Sequence, residues 1–214
     1  MPNLEIYAKT LGDMGTNCYI LVNHDTDECI VFDPGAEPNV LKEIFDTPGF
    51  QLKGIFLTHG HFDHTGAVKA LKDTYQVPVY ASKEEAEEVL TKVTVNLTGS
   101  FGLPYIIQAD ELLRDGEEVD IIGTKIKCLL TPGHTSGGMS YYCPQLESVI
   151  VGDTLFHESV GRTDFPTGSA STLLHSIQEK LFSLPDETKV FPGHMSDTTI
   201  AWEKKHNPFC GGEL

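Results

Sequence analysis

The sequence predicts an α+β fold in which two stacked β-sheets are flanked by helices, with residues 1–214 forming one domain. Three observations carry that expectation. Strand-like apolar runs gather in both halves of the chain, and segments with helical spacing are interspersed among them. Four of the apolar runs lead into histidine or aspartate beside glycine or proline, as strands do when they stop at the open edge of a sheet. Each half ends strands on such residues, so a weak twofold repeat is expected. At 214 residues the chain can bury a sizeable core, and 40% hydrophobic with 21% charged residues is the balance of a globular protein.

Taken in order, Leu4-Glu5-Ile6-Tyr7 alternates as a half-buried strand does. Cys18 to Val22 and Cys29 to Phe32 are apolar runs around the polar turn Asn23-His24-Asp25-Thr26-Asp27, which makes them an antiparallel hairpin. Asp33-Pro34-Gly35 stops the second strand with turn chemistry. Val40, Leu41, Ile44 and Phe45 have helical spacing before Pro48-Gly49, and Gln51 to Leu57 is a strand. A helix to about Tyr75, a short strand Val77 to Tyr80 and an acidic, exposed helix Lys83 to Leu90 follow. Residues 91–108 hold Gly99, Gly102 and Pro104 without a firm period and are expected to cover the site as a mobile segment. Glu118 to Ile122 and Thr124 to Leu130 form a hairpin around Gly123; Met139 to Cys143 and Ser148 to Val151 extend a second sheet. Ser171 to Leu184 is a helix with Leu173, Leu174, Ile177 and Leu181 on one face. Val190-Phe191 is the last strand and Thr198 to Lys205 the last helix.

Fifteen basic against 31 acidic residues give a formal net charge of −16, which argues against nucleic acid or an anionic membrane as a partner. A small anionic substrate answers to local charge and stays open. No apolar run approaches the roughly 18 residues of a membrane span. Met1-Pro2-Asn3-Leu4-Glu5 lacks the basic-then-apolar pattern of a secretion signal, so a cytoplasmic protein is expected, a monomer or small homo-oligomer. Cys18, Cys29, Cys128, Cys143 and Cys210 are odd in number, widely spaced and mostly in apolar runs, as buried free thiols in a reducing compartment would be.

The chemistry concentrates in Thr58-His59-Gly60-His61-Phe62-Asp63-His64, directly after the apolar run Ile55-Phe56-Leu57. Histidines two apart on a tight loop, His59 and His61, can chelate one ion; Asp63 and His64 are offset enough to face a second. Imidazole nitrogen and carboxylate oxygen suit zinc, with iron or manganese as alternatives. Four polar side chains crowded beside a buried strand without a shared partner would be costly, which weighs against ordinary solvated loop residues. Three further strands end with the same grammar: Thr131-Pro132-Gly133-His134, Gly152-Asp153 and Pro192-Gly193-His194. Together they offer seven ligands, the number two metal ions sharing one bridge require.

The HxHxDH pattern at His59, His61, Asp63 and His64, followed in order by His134, Asp153 and His194, resembles the metallo-β-lactamase superfamily. Thr16-Asn17-Cys18-Tyr19-Ile20-Leu21 and Asp33-Pro34-Gly35 look like its first hairpin. Gly161-Arg162-Thr163-Asp164-Phe165 and the tail through Asn207-Pro208-Phe209 look like small, single-domain bacterial glyoxalase II, hydroxyacylglutathione hydrolase. The resemblance implies a four-layer αββα sandwich. It also implies one metal held by His59, His61 and His134, the other by Asp63, His64 and His194, and Asp153 bridging. Aspartate at 153, where many true β-lactamases of the superfamily have cysteine, argues against antibiotic hydrolysis.

The activity so implied is hydrolysis of a thioester of the S-lactoylglutathione type by a metal-activated hydroxide, with Asp63 and Asp153 as catalytic ligands. Arg162 is the expected anchor for a substrate carboxylate, because a guanidinium grips carboxylates with two bonds; the alternative is a surface arginine paired with Asp164. Asp33 and Thr58 are candidates to orient the ligating imidazoles, whereas His157 and His175 are not expected to be ligands. The chain departs from classical glyoxalase II in lacking the helical C-terminal extension that supplies basic residues for glutathione, and in having Met195-Ser196 after His194. An iron persulfide dioxygenase, using His59, His134 and Asp153, is the rival enzyme reading, beside hydrolysis of another small ester, thioester or lactone. A non-enzymatic metal-binding or redox module ranks last.

Overall fold

The computed structural model describes residues 2–101 and 105–212. The first sheet has six strands in chain order: β1 (Leu4–Leu11), β2 (Thr16–Asn23), β3 (Glu28–Phe32), β4 (Gln51–Phe56), β5 (Val79–Ser82) and β6 (Glu111–Leu113). β1 to β3 pair antiparallel, and β3 to β6 run parallel. The second sheet is built from β7 (Glu118–Ile121), β8 (Thr124–Leu130), β9 (Met139–Cys143), β10 (Ser148–Gly152), β13 (Lys189–Pro192) and β14 (Thr198–Thr199), ordered β14-β13-β10-β9-β8-β7. Between β10 and β13 in sequence, β11 (Leu155–Phe156) and β12 (Ser159–Val160) form a separate small hairpin.

The inner strands β2 to β5 of the first sheet are largely buried on both faces, which is why their sequences read as nearly continuous apolar runs, whereas the edge strand β1 alternates and is mostly exposed. The side-chain period of two sends Ile20, Val31 and Ile55 to one face and Leu21, Ile30, Phe32 and Phe56 to the other. The first set packs under helices α1 (Pro38–Phe45) and α3 (Val68–Tyr75), through Leu41, Phe45, Val68 and Leu71. The second set meets Ile126, Cys128, Tyr141 and Ile150 of the other sheet. Burying an aromatic such as Phe32 or Phe56 there stabilises the sandwich by about 2 kcal/mol. The outer face of the second sheet, Val149, Val151 and Val190, is covered by helix α5 (Ala170–Ser176), its continuation Ile177–Leu181 and helix α6 (Ile200–His206). The layers are therefore helix, sheet, sheet, helix.

The hairpins, the helix over 38–45 and the strand before the histidine loop fall where the sequence places them. Several details differ. The helix expected to run to Tyr75 is broken into α2 (Phe62–Thr65) and α3, because the Gly66 and Ala67 amides donate to Gly35 O at 3.0 Å and Pro34 O at 2.9 Å instead of continuing the helical ladder. The helix over Lys83 to Leu90, α4 (Lys83–Glu85) plus a π-helical turn Ala86–Leu90, is not simply exposed: Glu85, Val89 and Leu90 are buried. Of the expected cover over 91–108, residues 102–104 lie outside the described residues. Within the described part Leu97 lines a cavity over the histidines, while Asn96 and Thr98 are buried. All five cysteines are buried and unpaired. Among the described residues, no helix is long and apolar enough to cross a membrane.

Side-chain and main-chain bonds lock the two sheets together at the end where the ligand-type residues emerge. Tyr141 Oη donates to Leu57 O at 2.6 Å, and Met139 N donates to Thr58 O at 2.8 Å. On the other side of the cluster Tyr19 Oη donates to Pro192 O and Asn17 N donates to Gly193 O, each at 2.7 Å. Strand ends from both sheets are thus held against one another, the arrangement a shared site requires.

Candidate metal centre

Five of the seven ligand-type residues sit in the turns that follow strand ends, and Asp63 and His64 sit in the short helix α2 just beyond one of them. The β4 end delivers His59, His61, Asp63 and His64; the β8, β10 and β13 ends deliver His134, Asp153 and His194. His59, His61 and His134 each offer a ligand atom within 4.8 Å of the others, and so do Asp63, His64 and His194. Asp153 lies between the two groups. Its Oδ1 is 3.4 Å from His64 Nε2, and its Oδ2 is 3.6 Å from both His134 Nε2 and His194 Nε2. His194 Nε2 and His64 Nε2 lie 3.2 and 3.6 Å from Asp63 Oδ2. Gly193 makes room for this convergence: a Cβ there would stand 2.3 Å from Asp153 Oδ1 and 2.7 Å from His64 Cε1.

Partners on the far side of the rings fix which nitrogens face inward. His134 Nδ1 lies 2.7 Å from Arg162 O and so donates to it, which turns Nε2 toward the centre. His59 Nδ1 faces Thr58 Oγ1 at 3.1 Å, and His64 Nδ1 faces Asp33 Oδ2 at 3.0 Å. Asp33 also takes the Thr58 amide at 2.8 Å and the Thr58 hydroxyl at 2.5 Å. Asp33, His59 and His64 form a third close group, but these bonds already occupy the Asp33 oxygens, so it orients ligands instead of adding one.

Burial decides the electrostatics. It pushes His59 well below its ordinary value, helped by neighbouring imidazoles, and carries His61 down to about 3; His134 is lowered as well. These rings are therefore neutral at pH 7, the form that ligates metals. Burial opposes charge on His64 too, yet Asp63, Asp153 and Asp33 outweigh it and raise the ring to about 10. His194 is raised by Asp63 and Asp153 against the effect of burial. Burial would raise Asp63, but His64 and His194 hold its carboxyl far below the usual range. Asp63 and Asp153 thus favour positive charge on the histidines between them, a place a divalent cation can take.

The donor set fits such a cation by a second test. His59 Nε2, His61 Nε2, His64 Nε2 and Asp153 Oδ1 are buried without a hydrogen-bond partner. Buried polar atoms are nearly always satisfied, so orphans on His59, His64 and Asp153, spread over the two ligand groups and the residue between them, call for a cation. His61 Nδ1 and His134 Nε2 stand 2.9 Å apart, closer than two lone pairs tolerate unless a proton or a cation lies between them.

A cavity of about 540 Å³ opens over the cluster, lined by His61, Asp63, His134, Asp153 and His194 and walled by Met14, Phe62, Leu97 and Phe165. Arg162 also lines it. Its guanidinium is bound to Asp164 by two bonds of 2.7 Å and lies 3.8 Å over the Phe165 ring. The paired arrangement and the cavity-facing position therefore coexist in one side chain. His157 stands apart, beside Glu158 and Trp202. His175 is in helix α5.

Sequence reasoning missed Glu85. Its fully buried carboxylate accepts bonds from Gly60 N at 2.7 Å, Thr135 Oγ1 at 2.8 Å and Gly137 N at 3.1 Å. The only local signal is Ser82, three residues earlier, which caps the helix by accepting from Glu85 N.

The model of the metallo-beta-lactamase superfamily matches residues 11–194. The chain is 37% identical to a Bacillus subtilis (strain 168) protein described as the probable metallo-hydrolase YqgX, over 94% of this chain and 95% of that one. It is 36% identical to a Haemophilus influenzae (strain ATCC 51907 / DSM 11121 / KW20 / Rd) protein named hydroxyacylglutathione hydrolase GloC, over 99% of each. Among solved structures it is similar to the BLEG-1 B3 metallo-beta-lactamase, with 37% identity and a TM-score of 0.91 over 97% of this chain and all of that one. It is also similar to TTHA1623 in a di-iron-bound form, with 35% identity and a TM-score of 0.83 over 95% and 99%. Fold, ligand cluster and full-length similarity agree: the chain belongs to the metallo-beta-lactamase superfamily.

Proposed function

We propose that this protein is a metal-dependent thioester hydrolase whose substrate resembles S-lactoylglutathione. The observation that carries the reading is the position of Asp153, within 3.6 Å of His64, His134 and His194 and so between two groups of three ligands. His59, His61 and His134 would hold one divalent ion, Asp63, His64 and His194 the other, with Asp153 shared. Imidazole and carboxylate donors favour zinc; iron is the alternative, since the similar TTHA1623 was solved in a di-iron-bound form. Bound there, the ions would supply a hydroxide at neutral pH and stabilise charge developing on a carbonyl oxygen.

The chain's own groups do the rest. Asp63 Oδ2, held by the Thr16 hydroxyl at 3.1 Å and facing His194, is placed to accept a proton bond from an attacking water and fix its direction. No serine or cysteine nucleophile is needed. Met14, Phe62, Leu97 and Phe165 keep bulk water off the acyl group. Arg162, at the rim, would meet a carboxylate of the carrier by exchanging its bond to Asp164. The 36% identity to the hydroxyacylglutathione hydrolase over nearly its whole length supports the thioester class.

The test is metal analysis of purified protein with three assays run side by side: S-lactoylglutathione hydrolysis, nitrocefin hydrolysis, and oxygen uptake with glutathione persulfide. Thioester cleavage with two metal ions per chain is the expected result. Nitrocefin cleavage would move the substrate toward the similar B3 metallo-beta-lactamase. One iron with oxygen uptake and no thioester cleavage would replace the hydrolase reading with a dioxygenase.

A further inference from the structure

Glu85 is a fully buried carboxylate that accepts three hydrogen bonds, and all three donors sit on loops carrying ligand-type histidines. Gly60 lies between His59 and His61; Thr135 and Gly137 follow His134. These two loops supply every member of the group His59, His61 and His134. Neither Asp63, His64 nor His194 lies on a residue adjacent to a Glu85 partner. The two loops come from different sheets, so their spacing is set at long range, and Glu85 Oε1 faces one loop while Oε2 faces the other.

The surroundings show how closely this bridge is fitted. Ser82 Oγ accepts from Glu85 N at 2.9 Å and donates to Gly137 O at 2.5 Å, tying the helix start to the second loop as well. A Cβ on Gly137 would stand 2.1 Å from Glu85 N, and one on Gly60 would meet Leu90 Cδ2 at 2.8 Å. Among the described residues the other buried glutamate, Glu203, bonds Thr198 Oγ1, Glu158 N and Asn207 Nδ2, none of them on the two loops that Glu85 joins.

We propose that Glu85 is a positioning residue that sets the spacing of the three-histidine group and thereby its metal affinity, without acting on the group Asp63, His64 and His194. Ligands must stand within a few tenths of an ångström of their positions to hold a cation well, and groups behind the ligands commonly govern affinity by ten- to a hundredfold. This inference rests on the ligand assignment proposed above.

The experiment measures zinc affinity by chelator competition in two backgrounds of the full chain. His194→Ala leaves the three-histidine group intact, and His134→Ala leaves the other. Adding Glu85→Gln should weaken zinc about ten- to a hundredfold in the His194→Ala background and less than about twofold in the His134→Ala background. Glu203→Gln should leave the His194→Ala background unchanged. Equal losses in both backgrounds would make Glu85 a general stabiliser and overturn the proposal, as would no loss in either. If Glu85→Gln does not fold, Thr135→Val decides, since it deletes one of the three bonds: a selective loss supports the bridge, and a uniform loss or none overturns it. Absence of zinc binding in His194→Ala with Glu85 intact would defeat the ligand assignment itself, whereas binding that ignores Glu85 would defeat the bridge alone.

Discussion

Asp33 Oδ2 lies 3.0 Å from His64 Nδ1 and also takes the Thr58 hydroxyl at 2.5 Å, so one buried carboxylate reaches two residues of the histidine-rich loop. Thr58 Oγ1 in turn faces His59 Nδ1 at 3.1 Å, and the chain of contacts runs from Asp33 to a ligand-type ring in each metal group. Truncating this residue leaves the Thr58 amide, the Thr58 hydroxyl and the His64 ring short of a partner, and frees the hydroxyl that His59 faces to turn. Asp33→Ala is expected to destabilise the protein by about 1–3 kcal/mol and to weaken metal binding about ten- to a hundredfold. Chemical unfolding of the metal-depleted protein and chelator competition of the loaded one separate the two effects; wild-type metal affinity in the variant would rule out the orienting role.

Asp63 combines a ligand position with the hydrogen bond from Thr16 and the contact with His194. Asp63→Ala should reduce thioester turnover by about a hundredfold or more while the three-histidine group keeps its ion. Stoichiometry near one ion per chain, together with lost activity, is the expected pair of results. Near-wild-type turnover would remove Asp63 from the mechanism.

The contrast between Asp63 and Glu85 shows which parts of the site were legible in sequence. Histidines and an aspartate within six residues after an apolar run declare themselves locally, and so do strands that stop at glycine or proline before His134, Asp153 and His194. The inner strands were legible because burial on both faces writes a continuous apolar run, and the edge strand β1 was legible by its alternation. Glu85 was not, because Lys83-Glu84-Glu85-Ala86-Glu87-Glu88 looks like one solvated acidic face. Which glutamate turns inward is decided by Gly60 and Thr135, far away in sequence. Short elements failed for a related reason: β11, β12 and β14 have two residues each, too few for any period to show, and exist through their pairing partners. Asp33 and Thr58 were readable as strand-end residues, but only the fold reveals that they bond each other.

Arg162 lines the cavity over the histidines, and Asp164 already holds it by two bonds. If it anchors a substrate carboxylate, Arg162→Ala should raise KM for S-lactoylglutathione about tenfold with kcat little changed, the pattern of lost uniform binding. Asp164→Ala frees the guanidinium and should lower KM. Steady-state kinetics on both variants check this; a fall in kcat at constant KM would assign Arg162 to the chemical step instead.

Metal removal should cost stability, because the ions bind only the folded arrangement of strand ends. At free metal about a hundred times the dissociation constant, binding contributes about 2.7 kcal/mol. For a chain of this size that corresponds to a fall in Tm of about 5–10 °C on chelation. Calorimetry with and without chelator measures it, and restoration by added zinc distinguishes metal loss from irreversible damage. An unchanged Tm would mean that the cluster holds no ion under those conditions.

The pH dependence of folding should carry a signature of Glu85. Burial is the main cause that lifts its carboxyl from an ordinary value of 4.5 to about 7, against the lowering effect of the bonds from Thr135, Gly60 and Gly137. Between those two values the folded chain binds a proton that the unfolded chain has released. Stability from this group is therefore fully present below about pH 4.5 and is lost as pH rises to about 7, by an amount on the order of 3 kcal/mol. Glu85→Gln does not titrate and lacks that slope. The histidines are shared by both proteins and largely cancel in the comparison. Unfolding free energies of the metal-depleted wild type, taken relative to Glu85→Gln, should decline between pH 5 and 7 and level off above it. A difference that stays flat across the window, or grows with pH, would mean that the buried carboxylate is ionised throughout and that its three donors fully offset its burial.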